Sequence, residues 1–301
     1  MRLVNCLGAF FTCKTLVVLK IHGKFVFNVP HYVCLPNLKT LGLNSLIYLD
    51  DELMRKFLSG CPALDAPNLE YLDFCDSVSD YICVGGMPSV VEDRVDINKS
   101  FEEGDWREHA DYGNLASGLL RSISNVRRLS ITGYTLRCLS CCNPNLPTFR
   151  NLIYLELGFD PFNGPVLLLD FLQSSPKLEV LVFPKGLMVL GERMYVVSRD
   201  IFFEYHWSPP ERVPECLLLS LETIEIHRFC GDEKEELDLV KYLLKNGMVL
   251  EKMTILCHYW FGGDNSFSFK DELENYPRGS TNCNFTLCIP YLVPISSSSS
   301  S

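Results

Sequence analysis

The feature that most constrains this chain is a leucine-rich pattern, L-x-x-L-x-L, which recurs along almost its whole length. In each copy the last two apolar residues alternate with other residues, as they do in a strand that buries one face. One strand and one helix enclose no core, so every copy needs neighbours stacked on it. The copies occupy residues 16–21, 38–43, 69–74, 89–97 (a degenerate copy), 126–131, 152–157, 178–183, 221–226 and 250–255.

Helical stretches alternate with these strands. After the copy at 38–43, Asp50 and Asp51 can cap a helix that Gly60 and Pro62 terminate. Further helices are predicted to begin at Leu115, Val166 and Glu235. The predicted fold class is therefore α/β: a leucine-rich-repeat solenoid, built as a right-handed arc with a curved parallel sheet and helices on its convex side. The residues expected in its core are Leu41, Leu43, Leu72, Leu129, Leu155, Leu157, Leu181, Ile224 and Ile226.

The same alternation places the residues between and just after the buried positions on the opposite, concave side. That side mixes charged, polar and aromatic residues, and aromatic and arginine side chains are typical of protein interfaces. A small ligand would instead require a closed apolar cavity, which an open arc lacks. The candidate protein-binding residues are Lys20, Asn44, Tyr71, Asp73, Arg128, Ser130, Tyr154, Glu156, Glu225, His227 and Lys252. The alternative is that they form an ordinary solvated strand face.

Composition narrows the possible classes of function. The chain has 301 residues, of which 47% are hydrophobic and 21% charged, and this indicates a globular protein. Its net charge of −10 and its 27 scattered basic residues disfavour nucleic acid as a partner. No apolar run reaches the roughly 18 residues that a membrane span needs, so we expect a soluble protein with no membrane partner.

The cysteines and histidines predict no catalytic or metal site. Most of the 14 cysteines stand singly and are interpreted as reduced structural thiols. Cys138, Cys141 and Cys142 resemble half of a zinc site, but no second ligand pair follows at the required spacing. Cys257 and His258 are adjacent, so on a strand they point to opposite faces. We expect no cofactor, no metal and no enzymatic activity. Because no cleavable secretion signal follows Met1, we expect a cytoplasmic and/or nuclear protein.

Two stretches interrupt the repeats. Residues 92–113 are acidic and polar, and we interpret them as an exposed connection that leads into the Leu115 helix. Residues 184–215 are rich in proline and are the best candidate for a domain boundary. The predicted divisions are leucine-rich repeats at 1–205, a second domain at 206–290 and a disordered serine tail at 291–301.

Residues 213–255 carry the marks of a known domain. These marks are Val213-Pro-Glu-Cys216, a strand to Ile226, Phe229, Gly231, a helix with Glu236, Leu239, Tyr242 and Leu243, Asn246-Gly247 and Leu250-Glu-Lys-Met253. The segment closely resembles the FBD domain that closes many plant F-box/leucine-rich-repeat proteins, and residues 277–288 look like its final strand. The residues themselves predict strand, helix, strand, with Leu239 and Leu243 facing inward and Gly247 as a left-handed helix cap.

The resemblance implies a role in protein recognition. Members of that family carry an N-terminal F-box, which docks on the Skp-type adaptor of a cullin ubiquitin ligase. This chain begins directly in a repeat, and residues 61–72 leave no room for a strand that the family normally fits there, so we expect a truncated member.

The implied function is a protein-protein interaction module resembling the substrate-recognition part of an SCF-type E3 ubiquitin ligase. Its partner would be an unknown target protein, with the adaptor and cullin as further partners only if an F-box lies upstream. The alternative is a binding or decoy protein with no ligase link, including a truncated or non-functional family member.

Overall fold

A computed structural model of the chain shows ten parallel strands side by side in one sheet, in the order of the sequence. In a sheet with this order the chain returns to the same edge before each new strand, which is the connectivity of a solenoid. The described residues are 10–23, 32–44, 70–75, 90–96, 106–142, 144–159, 167–187, 208–231, 234–257 and 268–289. The strands are β1 (Val18–His22), β2 (Thr40–Asn44), β3 (Tyr71–Cys75), β4 (Glu92–Asp96), β5 (Arg128–Thr132), β6 (Tyr154–Gly158), β7 (Val180–Phe183), β8 (Thr223–Phe229), β9 (Lys252–Cys257) and β10 (Asn284–Cys288).

Helices fill several of the connections and cover the buried face of the sheet. Phe171 of the third helix stacks on Phe149 with ring centroids 6.2 Å apart, and Phe269 of the sixth meets Phe229 of β8 edge-on at 5.4 Å. The helices are α1 (Trp106–Ser122), α2 (Gly133–Cys142), α3 (Leu168–Ser174), α4 (Glu215–Leu219), α5 (Lys234–Asn246) and α6 (Ser268–Glu274), with a short 3-10 helix at Phe10–Thr12. The predicted α/β leucine-rich-repeat solenoid is confirmed, including the two FBD strands and a final strand that continue the array.

Two apolar ladders run across the sheet through its buried face. Strand pairing is in register, so equivalent residues of successive copies lie side by side. All nine residues expected in the core are buried. Burying one leucine stabilises a fold by roughly 1.5–3 kcal/mol, so the ladders hold the array together. The first ladder contains Leu19, Leu41, Leu72, Asp93, Leu129, Leu155, Leu181, Ile224 and Met253, and the second contains Ile21, Leu43, Val95, Ile131, Leu157, Phe183, Ile226 and Ile255.

A row of backbone hydrogen bonds joins the starts of successive strands and keeps neighbouring repeats in register. Before each of the first eight strands, one residue accepts two N–H groups from the following repeat; the Arg127 carbonyl, for example, accepts from Ile153 at 2.9 Å and from Tyr154 at 3.1 Å. Before β9, Glu251 accepts one N–H group, from Asn284 at 2.8 Å, and Cys283 precedes the last strand of the sheet. We call these residues the amino-edge row, because they lie where the strands begin. The row consists of Val17, Lys39, Glu70, Val91, Arg127, Ile153, Glu179, Glu222, Glu251 and Cys283.

One residue breaks the first ladder. Asp93 pairs in register with Leu72 on one side and Leu129 on the other, and only 1% of it is exposed. Within the described structure, neither of its carboxylate oxygens makes a hydrogen bond of ordinary geometry. Burial raises the pKa of Asp93 well above its usual value; the Arg94 backbone N–H offsets this only in part, and the negative charge of Asp73 adds to it. A buried carboxyl that lacks a well-formed hydrogen bond destabilises the fold, so the degenerate copy at 89–97 is a weak point of the core.

The first helix starts earlier than predicted. It begins at Trp106 rather than at Leu115, so residues 106–113 are helical and do not form a connection between elements. Residues 92–96 at the other end of that stretch form β4. Gly113 allows α2 to pack closely against this part of the helix, because a Cβ at this position would overlap the Cys138 carbonyl of α2. The close approach of α2 thus stabilises an N-terminal segment whose polar composition indicated a loop.

The glycines of the FBD segment differ in role from each other. Gly247 was expected to be a left-handed helix cap, but it does not have a positive φ. It follows the last residue of α5, and the Leu250 side chain packs closely against it. Gly231 does adopt a positive φ of 75°, and a Cβ there would overlap the Phe269 ring. The Gly231 N–H also donates to the buried Glu236 carboxylate at 2.8 Å, which fixes the entry into α5.

Several expectations lie outside the described residues. These are the helix between Asp50 and Gly60, the missing strand near residues 61–69 and the serine tail. The boundary near residue 205 stays a prediction; β7 and β8, which flank it, pair directly, so the sheet continues from one predicted domain to the next. In the part of the chain that the structure describes, no helix combines the length and apolar character that crossing a membrane requires.

Reciprocal substitutions in the first ladder should change stability in opposite directions. Asp93→Leu should raise the free energy of unfolding at neutral pH by about 1.5–3 kcal/mol, because it extends the ladder and removes an unpartnered buried carboxyl. Leu155→Asp should lower it by at least as much and abolish cooperative unfolding. Urea and thermal unfolding measured by circular dichroism check both.

The pH dependence separates Asp93 from a general gain in hydrophobicity. Because its folded-state pKa is raised, protonated Asp93 stabilises the fold fully below the unfolded pKa of about 3.9, and this contribution is lost as the pH rises through the folded pKa. The advantage of Asp93→Leu should therefore grow as the pH rises from about 4 and then level off. Asp271→Leu, at an exposed position on α6, should show no such growth. A constant advantage for Asp93→Leu would contradict a buried, unpartnered carboxyl.

Candidate protein-binding face

All eleven candidate binding residues lie on the face of the sheet opposite the apolar ladders, which we call the open face. Alternation along each strand places them there, and the register arranges them in three rows. Tyr71, Arg128, Tyr154 and Lys252 lie in the row nearest the strand starts; Lys20, Asp73, Ser130, Glu156 and Glu225 lie in the middle row; Asn44 and His227 lie in the third row. Lys20, Arg128 and Lys252 are exposed and the other eight are partly exposed.

Four of these residues, on β5 and β6, form a connected group that we call the central cluster. The Arg128 guanidinium lies 3.9 Å from the centre of the Tyr154 ring. The Glu156 carboxylate accepts the Ser130 hydroxyl at 2.9 Å and, with longer geometry, the Tyr154 hydroxyl at 3.4 Å. The cluster therefore holds a cation, an aromatic ring and a carboxylate in fixed relative positions.

The Tyr154 hydroxyl reports the electrostatics of the central cluster. Burial raises the pKa of Tyr154, the negative charge of Glu156 raises it further, and the positive charge of Arg128 offsets part of the effect. The hydrogen bond to Glu156 and the charge of Glu225 act in the same direction as burial. The phenol is thus held in its neutral, hydrogen-bonding form in a locally negative environment.

A second, looser group lies on β8 and β9. The Glu225 carboxylate lies 3.7 Å from the Lys252 ammonium and 3.8 Å from the His227 ring nitrogen. The Glu225–Lys252 contact is a long, partly exposed ion pair, which contributes little to stability. It leaves both charges available to a partner.

The amino-terminal strands of the open face bring together two further pairs. The Lys20 ammonium nitrogen lies 5.3 Å from the centre of the Tyr71 ring. The Asn44 amide donates to Asp73 at 3.5 Å, a long contact. Burial raises the pKa of Tyr71, and Asp73 raises it further. The eleven residues thus form separate groups along one face rather than a single pocket.

Two charged residues of this face are not among the eleven candidates predicted from the sequence. Glu92 and Arg94 lie on β4 in register with Arg128 and Ser130. Glu92 approaches the Arg128 guanidinium at 3.7 Å and so extends the central cluster. Both could have been found by aligning Val95 with the second ladder. Since successive side chains of a strand point to opposite faces, this alignment places residues 92 and 94 on the open face.

The described residues include no group of His, Cys, Asp or Glu arranged to hold a metal ion. The three cysteines that resembled half of a zinc site lie within α2, where Cys138 is buried and Cys141 exposed.

The repeated strands, the apolar ladders and the open face define a leucine-rich-repeat protein. Two family models agree: the leucine-rich-repeat model matches residues 37–62, and the FBD model matches residues 209–255. A putative FBD-associated F-box protein of Arabidopsis thaliana is 29% identical over 334 residues, covering 95% of this chain and 72% of the relative. An F-box/FBD/LRR-repeat protein of the same plant is 30% identical over 338 residues, covering 91% of this chain and 70% of the relative.

The chain belongs to the F-box/FBD/LRR-repeat family. This confirms the resemblance drawn from residues 213–255 and from the repeats. The FBD match covers α4, β8, α5 and the beginning of β9.

Two substitutions should shift the pKa of Tyr154 in opposite directions if the central cluster has the geometry described. Glu156→Gln should lower it, because the change removes a negative charge and the carboxylate acceptor. Arg128→Met should raise it, because the cation disappears while an unbranched stem still covers the ring. Tyrosine ¹³Cζ shifts followed through an alkaline titration measure both. Glu274→Gln, on α6, makes the same charge change elsewhere and should leave Tyr154 unchanged; equal shifts in all three variants would rule out a specific cluster.

Proposed function

We propose that this protein is a protein-protein interaction module that binds a target protein through its open face. The observation that carries the proposal is the Arg128–Tyr154 stack, with its ring–guanidinium distance of 3.9 Å at the centre of the face. Tyrosine and arginine are enriched among the residues that dominate binding energy. Side chains already ordered before binding lose less conformational entropy on association.

The open face also suits a protein better than a small molecule. Its groups extend across the sheet, from Lys20 on β1 to Lys252 on β9. A small ligand is usually enclosed by an apolar cavity with a few convergent polar groups. An extended row of charged and aromatic groups instead matches the mixed composition of protein interfaces.

Family membership supports a more specific role, as the substrate-recognition part of an SCF-type ubiquitin ligase. The relatives described above are named F-box proteins. In that role the repeats and FBD segment would hold the target while an F-box contacts the Skp-type adaptor. Affinity purification of the endogenous protein, followed by mass spectrometry, tests this. Recovery of adaptor and cullin together with a target supports the ligase role, whereas recovery of a target without them supports a binding or decoy protein.

Replacing the aromatic and arginine residues of the open face should weaken target binding. Once crosslinking has identified a partner, we expect Tyr71→Ala, Arg128→Ala and Tyr154→Ala together to cost at least about 1–2 kcal/mol of binding free energy. Each single change should cost less. Isothermal titration calorimetry measures the affinity, and circular dichroism confirms that the variants are folded.

A control of matching residue types lies away from the open face. Tyr32 is 67% exposed and Arg212 is also exposed, and neither belongs to a strand. Tyr32→Ala with Arg212→Ala should leave the affinity unchanged. If the open-face triple variant binds as tightly as this control, the target binds elsewhere on the molecule.

A further inference from the structure

The amino edge of the sheet carries a groove that the open face does not use. The groove has a volume of about 530 Å³ and lies where strands β4 to β7 begin. Its lining includes the apolar side chains of Val90, Val91 and Ile153 together with the cations of Arg127 and Lys177. Val91 is 41% exposed although it is a large aliphatic residue. The groove thus combines an apolar lining with positive charge.

The same edge carries an exposed apolar pair where β8 and β9 begin. Leu219, the last residue of α4, is 66% exposed, and Met248, just after α5, is 50% exposed. The Met248 N–H donates to the Leu217 carbonyl at 2.9 Å, so the turn after α5 is tied to α4 two residues before Leu219. Glu222 and Glu251 of the amino-edge row follow them in sequence by three residues each. The pair thus combines apolar surface with negative charge.

Cations line the groove, whereas Glu222 and Glu251 lie beside the apolar pair; Lys177 and Glu179 both precede β7, between the two regions. Lys39 and Glu70, which are neighbours in the amino-edge row, form an ion pair of 2.7 Å. Across the described part of the chain, by contrast, no ion pair within 4.0 Å involves the groove cations or the row carboxylates before β7 to β9. The residues concerned are Arg127, Lys177, Glu179, Glu222 and Glu251.

We propose that two copies of this chain associate through the amino edge. Leu219 and Met248 of one copy occupy the groove of the other, and Glu222 and Glu251 face the groove cations. Each copy carries both halves, so a two-fold arrangement makes the contact twice and closes the assembly. Complementary charge gives such an interface its orientation, and apolar burial gives it stability. The association is separate from target binding on the open face, and testing it requires no target.

Sedimentation velocity of the unmodified full chain gives the first test. We expect a reversible monomer–dimer equilibrium that shifts toward monomer as ionic strength rises from about 0.05 to 0.5 M, because exposed charge pairs are screened. A chain that stays monomeric at every concentration and salt level would overturn the proposal. Growth into assemblies larger than dimers would overturn the two-fold arrangement.

Charge reversal identifies the surfaces. In the groove variant, Arg127→Glu and Lys177→Glu place carboxylates opposite carboxylates; in the row variant, Glu222→Lys and Glu251→Lys place cations opposite cations. Each should lower dimer affinity by at least about tenfold, which corresponds to about 1.4 kcal/mol. An equimolar mixture should recover the dimer. The negative groove of the groove variant meets the positive row of the row variant, and the positive groove of the row variant meets the negative row of the groove variant.

Two further variants keep the test decisive if a charge variant is poorly folded. Leu219→Ser with Met248→Ser should also weaken the dimer by at least about tenfold, since burial of both side chains is lost. Lys185→Glu with Arg212→Glu repeats the charge change of the groove variant away from the amino edge and should leave the dimer intact. A mixture that does not recover, or a control that dissociates equally, would show that general charge effects and not this edge govern association.

Discussion

The in-register stacking of one strand on the next is the constraint on which this structure depends. Eight residues of the amino-edge row, from Val17 to Glu222, each accept two backbone N–H groups from the next repeat, so none of these repeats can shift along its neighbour without losing both bonds. A slip of one residue would also turn the ladder leucines outward. Backbone bonding and apolar burial therefore enforce the same register, and the sheet extends through ten strands without needing identical repeats.

This register explains how an irregular sequence produces a continuous open face. Connections between strands differ greatly in length, yet residues such as Arg128, Tyr154 and Lys252 still lie in one row. The spacing of about 4.8 Å between strands then sets which side chains can meet. Arg128 reaches Tyr154 on the next strand, and Ser130 reaches Glu156 in the same way. Contacts across the face are thus consequences of the core.

The strands and their buried residues could be predicted from the sequence because the last two leucines of L-x-x-L-x-L are spaced two residues apart, as in a strand that buries one face. The degenerate copy at 89–97 was found as a strand, but its outward residues Glu92 and Arg94 were missed, since Asp93 occupies the ladder position that would have fixed the alignment.

Helices were harder to predict than strands. α2 follows β5 without a connecting loop, so no turn marks where it begins. Its three cysteines resembled metal ligands, although Cys138 packs in the interior. α4 and α6 have only five and seven residues, too short for a helical period to be recognised. The N-terminal part of α1 packs against α2 through Gly113, which is a tertiary contact that no local pattern contains.

The two surfaces of the molecule have different physical origins and need not compete. The open face arises from side chains that alternate with the ladders, whereas the amino edge arises from the turns that lead into the strands. A two-fold contact made through the amino edge would leave both open faces uncovered. A dimer of this kind would present two target-binding faces at a fixed separation, so a target with two copies of the same epitope could bind with much higher avidity than a single face provides, if the geometry allows both to be engaged. The positions of Arg127 before β5 and of Glu222 before β8 would then set that separation, because both belong to one rigidly registered row.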